Sequence, residues 1–290
     1  MNRIAESELI LNPDGSIYHL KLKPENIADD IIVVGDPGRV PAISAYFDSI
    51  EFKQSNREIV THTGYIGKKR LSVLSTGMGT DNLDIVINEL DACVNIDLQE
   101  RIHKTVHRTL NIIRLGTSGA MQEDIPVGSY VMSSHGLGLD GLMWFYDAGK
   151  KVIDTKLTDE FLSQTKWPSD LPKAYIVEGS NKLFEKFGKG YISGITATAP
   201  GFFGPQGRVL RLDLAYPDLN DRISAFRYNG FRITNFEMET SALYGLSKAL
   251  GHNAMTVCAI IANRLRKEYA DDYKKNVKAL IEDLLEKLSQ

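Results

Sequence analysis

The sequence is short of cysteine, and it lacks long apolar runs and a strong charge of either sign. Only two cysteines, Cys93 and Cys258, occur among 290 residues, and both lie within apolar stretches. This pattern favours buried free thiols in a reducing compartment over a disulfide framework. No run approaches the roughly 18 apolar residues of a membrane-spanning helix, and the N-terminus has no apolar signal-peptide core. We therefore expect a cytoplasmic protein without a membrane partner.

The balance of charge also argues against a nucleic-acid partner. The chain has 34 basic and 37 acidic residues, which gives a formal net charge of −3. Any anionic ligand must therefore be bound by local groups and not attracted by bulk charge. With 43% apolar and 24% charged residues, the composition is that of a globular protein. No internal repeat or linker-like tract is present, so we expect a single domain over residues 1–290.

Two familiar cofactor patterns are incomplete. Gly77-Met78-Gly79 precedes a predicted helix, but Asn82 stands where the dinucleotide-binding fingerprint needs its third glycine. We therefore expect no nicotinamide cofactor. His103 and His107 are four residues apart, which would put two imidazoles on one helix face. No acidic or third ligand pattern accompanies them, so we expect no metal site.

The segment Asn111–Ala120 has the composition of a central binding element. Its apolar first half predicts a buried parallel strand, and Gly116-Thr117-Ser118-Gly119 predicts a turn at the strand's carboxyl end. Ligands of open α/β sheets collect at that end. Arg114, two hydroxyls and accessible backbone N–H groups suit a phosphate. The alternative is an ordinary strand-to-loop turn with a salt-bridged arginine.

A second loop has the same make-up. The β-branched run Asp30–Val34 predicts a first buried strand, and Gly35-Asp36-Pro37-Gly38 forces a turn after it. Arg39 follows where the next helix should begin. Two strand-end loops that each carry glycine and arginine point to one shared anion site.

The segment Ala199–Arg208 is a candidate for binding a planar ligand. It holds three glycines and two prolines in ten residues, so it is irregular, and it presents Phe202, Phe203, Gln206 and Arg208. A ring face, an amide and a guanidinium suit a base with carbonyl and imide edges, because Gln both donates and accepts. The alternative is a mobile loop with an incidental aromatic pair. Glu237-Met238-Glu239 lies at a predicted strand-to-helix junction. Its two glutamates are either ordinary acids at a helix N-terminus or acceptors for ligand hydroxyls.

Strands alternate with helices along the chain, which predicts a mainly parallel, twisted α/β sheet with helices on both faces. The remaining predicted elements are a hairpin over 59–75, a helix over 82–97 continued by 97–108, strands over 129–134, 174–178, 191–196, 232–235 and 254–262, a short helix over 159–165, and helices over 241–250 and 269–288.

Taken together, the motifs resemble those of the nucleoside phosphorylase I family, and most closely its uridine phosphorylase branch. The resemblance spans about residues 17–266 and rests on five motifs in family order: Gly35-Asp36-Pro37-x-Arg39-Val40, Arg114-x-Gly116-Thr117-x-Gly119, Phe202…Gln206-x-Arg208, Glu237-Met238-Glu239 and Asn263-Arg264. It implies a single-domain twisted mixed sheet flanked by helices. It also implies phosphorolysis of uridine to uracil and ribose 1-phosphate, with phosphate as a substrate and no cofactor.

The resemblance also implies roles for individual residues. It gives the reaction itself to Arg208 and Glu239, with support from Arg264. Active sites would be shared between subunits of a homo-oligomer, with Arg57 and His19 reaching a neighbouring site. The implied contacts are Gly35, Arg39, Arg57, Arg114 and Thr117 for phosphate, His19, Met238 and Glu239 for ribose, and Phe202, Gln206 and Arg208 for the base.

Departures from the family pattern leave some points open. Pro200-Gly201 replaces an expected polar pair, Gly204-Pro205 inverts the usual order, and Asn82 replaces a serine near Glu58, where some relatives hold a monovalent cation. Asn263-Arg264 lacks the aspartate expected of a purine-specific member, which favours a pyrimidine. The alternatives are a purine nucleoside phosphorylase, a nucleosidase of the same fold, or a non-catalytic nucleoside-binding protein. Deoxyribose tolerance and dimer versus hexamer remain open.

Overall fold

The computed structural model describes residues 3–289, and a twelve-stranded sheet runs through it. A separate pair of short strands, β5 and β6, lies outside this sheet. The strands are β1 (Asp30–Val34), β2 (Ser49–Asn56), β3 (Ile59–Ile66), β4 (Lys69–Ser75), β5 (Ile96–Asp97), β6 (Ile102–His103), β7 (Asn111–Ala120), β8 (Tyr130–Gly138), β9 (Tyr175–Glu178), β10 (Ile192–Thr198), β11 (Arg227–Tyr228), β12 (Phe231–Glu237), β13 (Asn253–Asn263) and β14 (Glu268–Tyr269).

The helices connect and cover these strands. They are α1 (Arg39–Ser44), α2 (Thr80–Asn95), α3 (Gly149–Val152), α4 (Thr155–Gln164), α5 (Asn181–Phe187), α6 (Leu219–Ala225), α7 (Thr240–Ala249) and α8 (Tyr273–Ser289), with 3-10 turns at Pro24–Asn26, Leu142–Phe145 and Gly204–Gln206. Within residues 3–289, none of the helices has both the length and the apolar character that a bilayer crossing requires.

The sheet is mixed, as the resemblance implies. Its path runs β11-β12-β10-β8-β13-β7-β1-β4-β3-β2, while β9 pairs with β8 and β14 pairs with β13. The centre, from β4 through β1 and β7 to β13, is parallel. The contact between β13 and β8 and the hairpin at the β2–β3–β4 edge are antiparallel. The predicted α/β fold class is therefore confirmed.

Helices cover both faces of this sheet. Side chains alternate along β1, so Ile31 and Val33 face one side while Ile32 and Val34 face the other. The first side packs against α2 and α7, and the second packs against α1, α5 and α8. The two cores fix the central strands, and their carboxyl ends then present side chains at one edge.

That edge brings the two anion-type segments together. In the β1–β7 register, Val33 lies opposite Arg114, so the loop that begins at Gly35 leaves β1 beside the second half of β7. On the other side of β7, Thr256 of β13 lies opposite Arg114. Parallel pairing thus gathers segments that are distant in the sequence.

The predicted turn at residues 116–119 is wrong, because β7 continues to Ala120. Gly116 to Ser118 pair with Cys258 to Ile260 of β13, and Gly119 and Ala120 pair with β12. Pairing on both sides keeps the glycine-rich stretch extended. The groups expected on a loop are therefore offered by a strand.

The predicted helix over 97–108 is also wrong. Helix α2 ends at Asn95, and the Asp97 carboxylate accepts the N–H groups of Gln99 and Glu100, which closes a turn. The chain then returns as β6, so His103 and His107 do not share a helix face.

Two further differences from the predicted elements concern the start of the last helix and strand β2. The last helix begins at Tyr273 and not at Tyr269, because Glu268 and Tyr269 pair with the end of β13. Strand β2 was not predicted at all. It is an edge strand with mostly exposed side chains, so it has no apolar alternation that sequence reasoning can detect.

Candidate active site

A cavity of about 920 Å³ opens at the carboxyl ends of β1, β7, β12 and β13. It contains most of the residues that the sequence analysis singled out, although they come from six separate segments. Its walls include Gly35, Arg39, Glu58, Arg114, Thr117, Phe202, Gln206, Arg208, Met238, Glu239 and Arg264.

Two of the expected site residues, His19 and Arg57, are not among the residues that line this cavity. They lie close to one another, because the side chain of Asn56 donates to the carbonyl of His19 at 2.8 Å. His19 is held by Glu89, whose carboxylate lies 2.6 Å from Nδ1 and also accepts the His19 N–H. The two residues expected to serve a neighbouring subunit are thus the two that their own cavity does not contain.

Arg114 lies between two buried carboxylates at the floor of the cavity. Its Nη1 is 3.0 Å from Glu237 Oε2, and its Nη2 donates to Glu239 Oε2. Burial alone lowers the pKa of Arg114, but the charges of Glu239 and Glu237 outweigh it, so the pKa is raised and the guanidinium stays charged. The fork of donors that suits a phosphate is therefore present, oriented and already engaged by carboxylates.

Glu239 contacts the same guanidinium, and its surroundings act on its pKa in opposite directions. It is 4% exposed and also accepts the N–H of Gly79 at 2.9 Å. Burial raises its pKa, Arg114 lowers it, and the neighbouring charge of Glu237 raises it again, with a net upward shift. One guanidinium thus faces two carboxylates, and burial together with the charge of Glu237 disfavours the charged form of Glu239.

Arg39 is a partly buried cation of the cavity wall. Among residues 3–289, its guanidinium has no hydrogen-bond or ion-pair partner. Burial lowers its pKa, and the positive charge of Arg114 lowers it further, so the two cations feel one another. An anion placed between them would relieve this repulsion.

The loop around Gln206 is braced by two arginines. The guanidinium of Arg208 stacks 3.8 Å from the centre of the Phe202 ring, and its Nη1 donates to the Gln206 amide oxygen at 2.6 Å. Arg264 donates to the carbonyls of Gln206 and Gly207. Burial, followed by the charge of Arg264, lowers the pKa of Arg208. Arg264 thus holds the backbone, while Arg208 holds the ring and the amide.

Sequence reasoning did not place Lys267, Glu268 and Tyr269 in the cavity wall, and it did not pair Glu237 with Arg114. Glu237 was noticed only as one of two junction acids, although it binds Arg114 directly. Lys267, Glu268 and Tyr269 reach the cavity from the turn and strand that follow β13. They were missed because this stretch was assigned partly to the last helix, and the sequence gives no signal for so short a strand.

A cluster of two histidines and an aspartate lies outside the cavity. Possible ligand atoms of Asp91, His107 and His252 all lie within 4.8 Å of one another. The N–H of Leu110 donates to His252 Nδ1 at 3.2 Å, while His252 Nε2 lies 3.2 Å from Asp91 Oδ1. The expectation of no metal site stays a prediction.

Comparison with known proteins agrees with this geometry. The family model described as phosphorylase superfamily matches residues 29–289. The chain is 29% identical to a uridine phosphorylase of Thermococcus kodakarensis, across 100% of this chain and 93% of that protein. It is 28% identical to a DeoD-type purine nucleoside phosphorylase of Bacillus thuringiensis, across 83% and 85%.

A solved structure is similar over almost the whole chain. It is a Trypanosoma brucei nucleoside phosphorylase whose crystal structure is described as showing uridine phosphorylase activity. The TM-score is 0.85 and the identity 31%, with 97% of this chain and 99% of that chain covered. The chain therefore belongs to the phosphorylase superfamily, among its nucleoside phosphorylases.

Proposed function

We propose that the protein cleaves uridine with inorganic phosphate to give uracil and ribose 1-phosphate. One observation carries the proposal: the guanidinium of Arg39, which has no partner among residues 3–289, lines the same cavity as Arg114 and the Phe202–Arg208 loop. An anion site and a site for a planar base thus adjoin one another. Gly35, Arg39, Arg114 and Thr117 would hold the phosphate.

The inventory of side chains suits this chemistry. Cleavage of a glycosidic bond passes through an oxocarbenium-like sugar, which a phosphate dianion beneath it stabilises. The departing uracil gains negative charge, and Arg208 offers a cation to it without proton transfer. Glu239 would accept the ribose hydroxyls, with Met238 beside the sugar. Holding the two substrates in line lowers the barrier further, on the order of several kcal/mol.

The environment of Asn263 favours a pyrimidine over a purine. Its amide donates to the carbonyls of Gln122 and Ile125 at 2.9 Å each, and its oxygen accepts the N–H of Arg266. It is therefore fully engaged and carries no acidic proton for a purine ring. The nearby acid Glu268 is paired with Arg266 at 2.9 Å.

A second subunit completes the proposed site. His19 and Arg57 are not among the residues that line their own cavity, and we infer that they reach the ribose and phosphate of a neighbouring copy in a homo-oligomer. The phosphate is a substrate, and we propose no cofactor. A monovalent cation beside Glu58 stays a prediction.

Four nucleosides, each tested with and without phosphate, separate the candidate functions. We expect release of base from uridine that requires phosphate, and little release from inosine. Preference for inosine would instead support a purine phosphorylase, which the similarity to the Bacillus protein makes the second candidate. Release without phosphate would indicate a nucleosidase, and binding without release would indicate a non-catalytic protein. Deoxyuridine and thymidine measure the tolerance for deoxyribose.

A further inference from the structure

Thr198, the last residue of β10, is fully buried and does not line the cavity. Its hydroxyl lies 2.7 Å from Glu237 Oε1 and accepts the N–H of Ser241 at 2.9 Å. A backbone N–H can only donate, and a hydroxyl has one proton. The proton of Thr198 is therefore directed at Glu237.

Glu237 connects Thr198 to the cavity, because its other carboxylate oxygen contacts Arg114. Its Oε2 accepts the N–H groups of Glu239 and Thr240 at 3.0 Å each and lies 3.0 Å from Arg114 Nη1. One carboxylate thus fixes the start of α7 and one arm of Arg114. The other arm of Arg114 faces Glu239 and the cavity.

We propose that Thr198 is a positioning residue for phosphate, acting through Glu237 to set the plane of the Arg114 guanidinium. The inference rests on the proposed function, because it assigns Arg114 to phosphate. Without the hydroxyl, Glu237 Oε1 loses its side-chain donor in a buried place, and the carboxylate can rotate away from Arg114. Thr198 also joins this network to the base-binding loop, since the next residue, Ala199, donates its N–H to the Glu237 carbonyl at 2.9 Å.

The test compares Thr198→Val, which keeps the shape and removes the hydroxyl, with Thr198→Ser, which keeps the hydroxyl. Thr158→Val is the matched control, because Thr158 is equally buried and its hydroxyl accepts the N–H of Ile176 outside the cavity. We expect Thr198→Val to raise the KM for phosphate about tenfold, the effect of one lost hydrogen bond to a charged group. The KM for uridine should change several times less. Thr198→Ser and Thr158→Val should both stay within about twofold of the wild type.

Two results would overturn the inference: an unchanged phosphate KM in Thr198→Val, or an equal rise in both KM values, as general loosening would give. If Thr198→Val does not fold, Thr198→Cys replaces it, because a thiol is only a weak donor. A wild-type phosphate KM in that variant would also contradict the inference. Calorimetric titration with phosphate alone keeps the two proposals apart. A wild type that binds phosphate more tightly than Thr198→Val, yet releases no uracil, would contradict only the proposed function.

Discussion

At the scale of single residues, the cavity is organised by one arginine between two carboxylates. Arg114 contacts Glu237 and Glu239, so one guanidinium is shared by two carboxylates before any substrate enters. Any negative charge on these carboxylates opposes the binding of a phosphate dianion in a low-dielectric site. Burial and the neighbouring Glu237 raise the pKa of Glu239, and the guanidinium of Arg39, which has no ion-pair partner among residues 3–289, supplies a further positive charge for the anion.

Replacing Glu239 with Gln should separate activity from stability. The change replaces one of the two carboxylate oxygens, which accept from ribose hydroxyls in the proposed site, with an amide that can only donate, so kcat/KM should fall about a hundredfold. The folded-state pKa of Glu239 is raised, which means that ionising it opposes folding above its ordinary value of 4.5. The melting temperature of Glu239→Gln at pH 8 should therefore equal or exceed that of the wild type, and any gain should vanish as the pH falls toward 4.5. A variant that melts well below the wild type at pH 8 would contradict this view of the charges.

Arg208 should serve the leaving base and not the phosphate. We expect Arg208→Ala to lower kcat about a hundredfold, because it removes the cation that faces the departing uracil. The KM for phosphate should change little. Arg211→Ala, three residues along the same segment, is the control, since Arg211 is exposed and outside the cavity wall. Steady-state kinetics with each substrate varied checks this, and similar losses in kcat and in phosphate affinity would count against the assignment.

At the scale of secondary-structure elements, the base-binding loop depends on one backbone conformation. Gly207 has φ +68°, in the left-handed region, and a Cβ there would overlap the side chain of Asn220. Asn220 donates to the Gln206 carbonyl at 2.9 Å, the same carbonyl that Arg264 binds. A side chain at position 207 would therefore disturb the support beneath Gln206.

Gly207→Ala should raise the KM for uridine about tenfold, through displacement of Gln206 and Arg208. Gly204→Ala, three residues earlier in the same loop, is the control, because a Cβ there would meet open space. It should leave the KM for uridine within about twofold. Equal effects of the two substitutions would show that the loop tolerates a side chain at neither position. Such a result would contradict the special role of the Gly207 backbone conformation.

The elements also show what could be read from sequence. Burial and turn chemistry are local signals, so they can be predicted from sequence. The apolar run of β1 predicts a strand, and the glycine and arginine that follow it predict a site residue, Arg39. The turn predicted over Gly116 to Gly119 was wrong, because pairing with β13 and β12 overrides the turn preference of glycine. The helix predicted over residues 97–108 was wrong, because the carboxylate of Asp97 closes a turn inside this charged stretch. The pairing of Glu237 with Arg114 depends on contacts between distant segments, which no local pattern encodes.

At the scale of the whole molecule, we propose that the site is shared between copies of the chain. The Asn56 side chain donates to the His19 carbonyl, so the residue before Arg57 lies beside His19, and neither His19 nor Arg57 lines the cavity of its own chain. Glu89 fixes His19 by accepting its backbone N–H at 2.9 Å. Such a pair is positioned to enter a cavity from outside, and self-association would bring two identical surfaces into register.

Mixing two inactive variants tests this sharing. Arg57→Ala and Arg208→Ala should each be nearly inactive alone. In an equal mixture of the two variants that exchanges subunits, about half of the dimers contain one subunit of each variant. One of the two sites in such a mixed dimer has both arginines, so about a quarter of all sites should be active. A mixture no more active than its components, after exchange has been verified by mass, would place Arg57 outside the neighbour's site.

We propose that phosphate itself attacks the sugar in the cavity between Arg39 and Arg114. Incubation of the protein with uridine and with phosphate labelled with ¹⁸O in every position, followed by mass spectrometry of the sugar product, tests this step. We expect ribose 1-phosphate that keeps every labelled oxygen, because the phosphate oxygen forms the new bond to the sugar carbon. Free ribose that carries oxygen from solvent, or no sugar product at all, would contradict it.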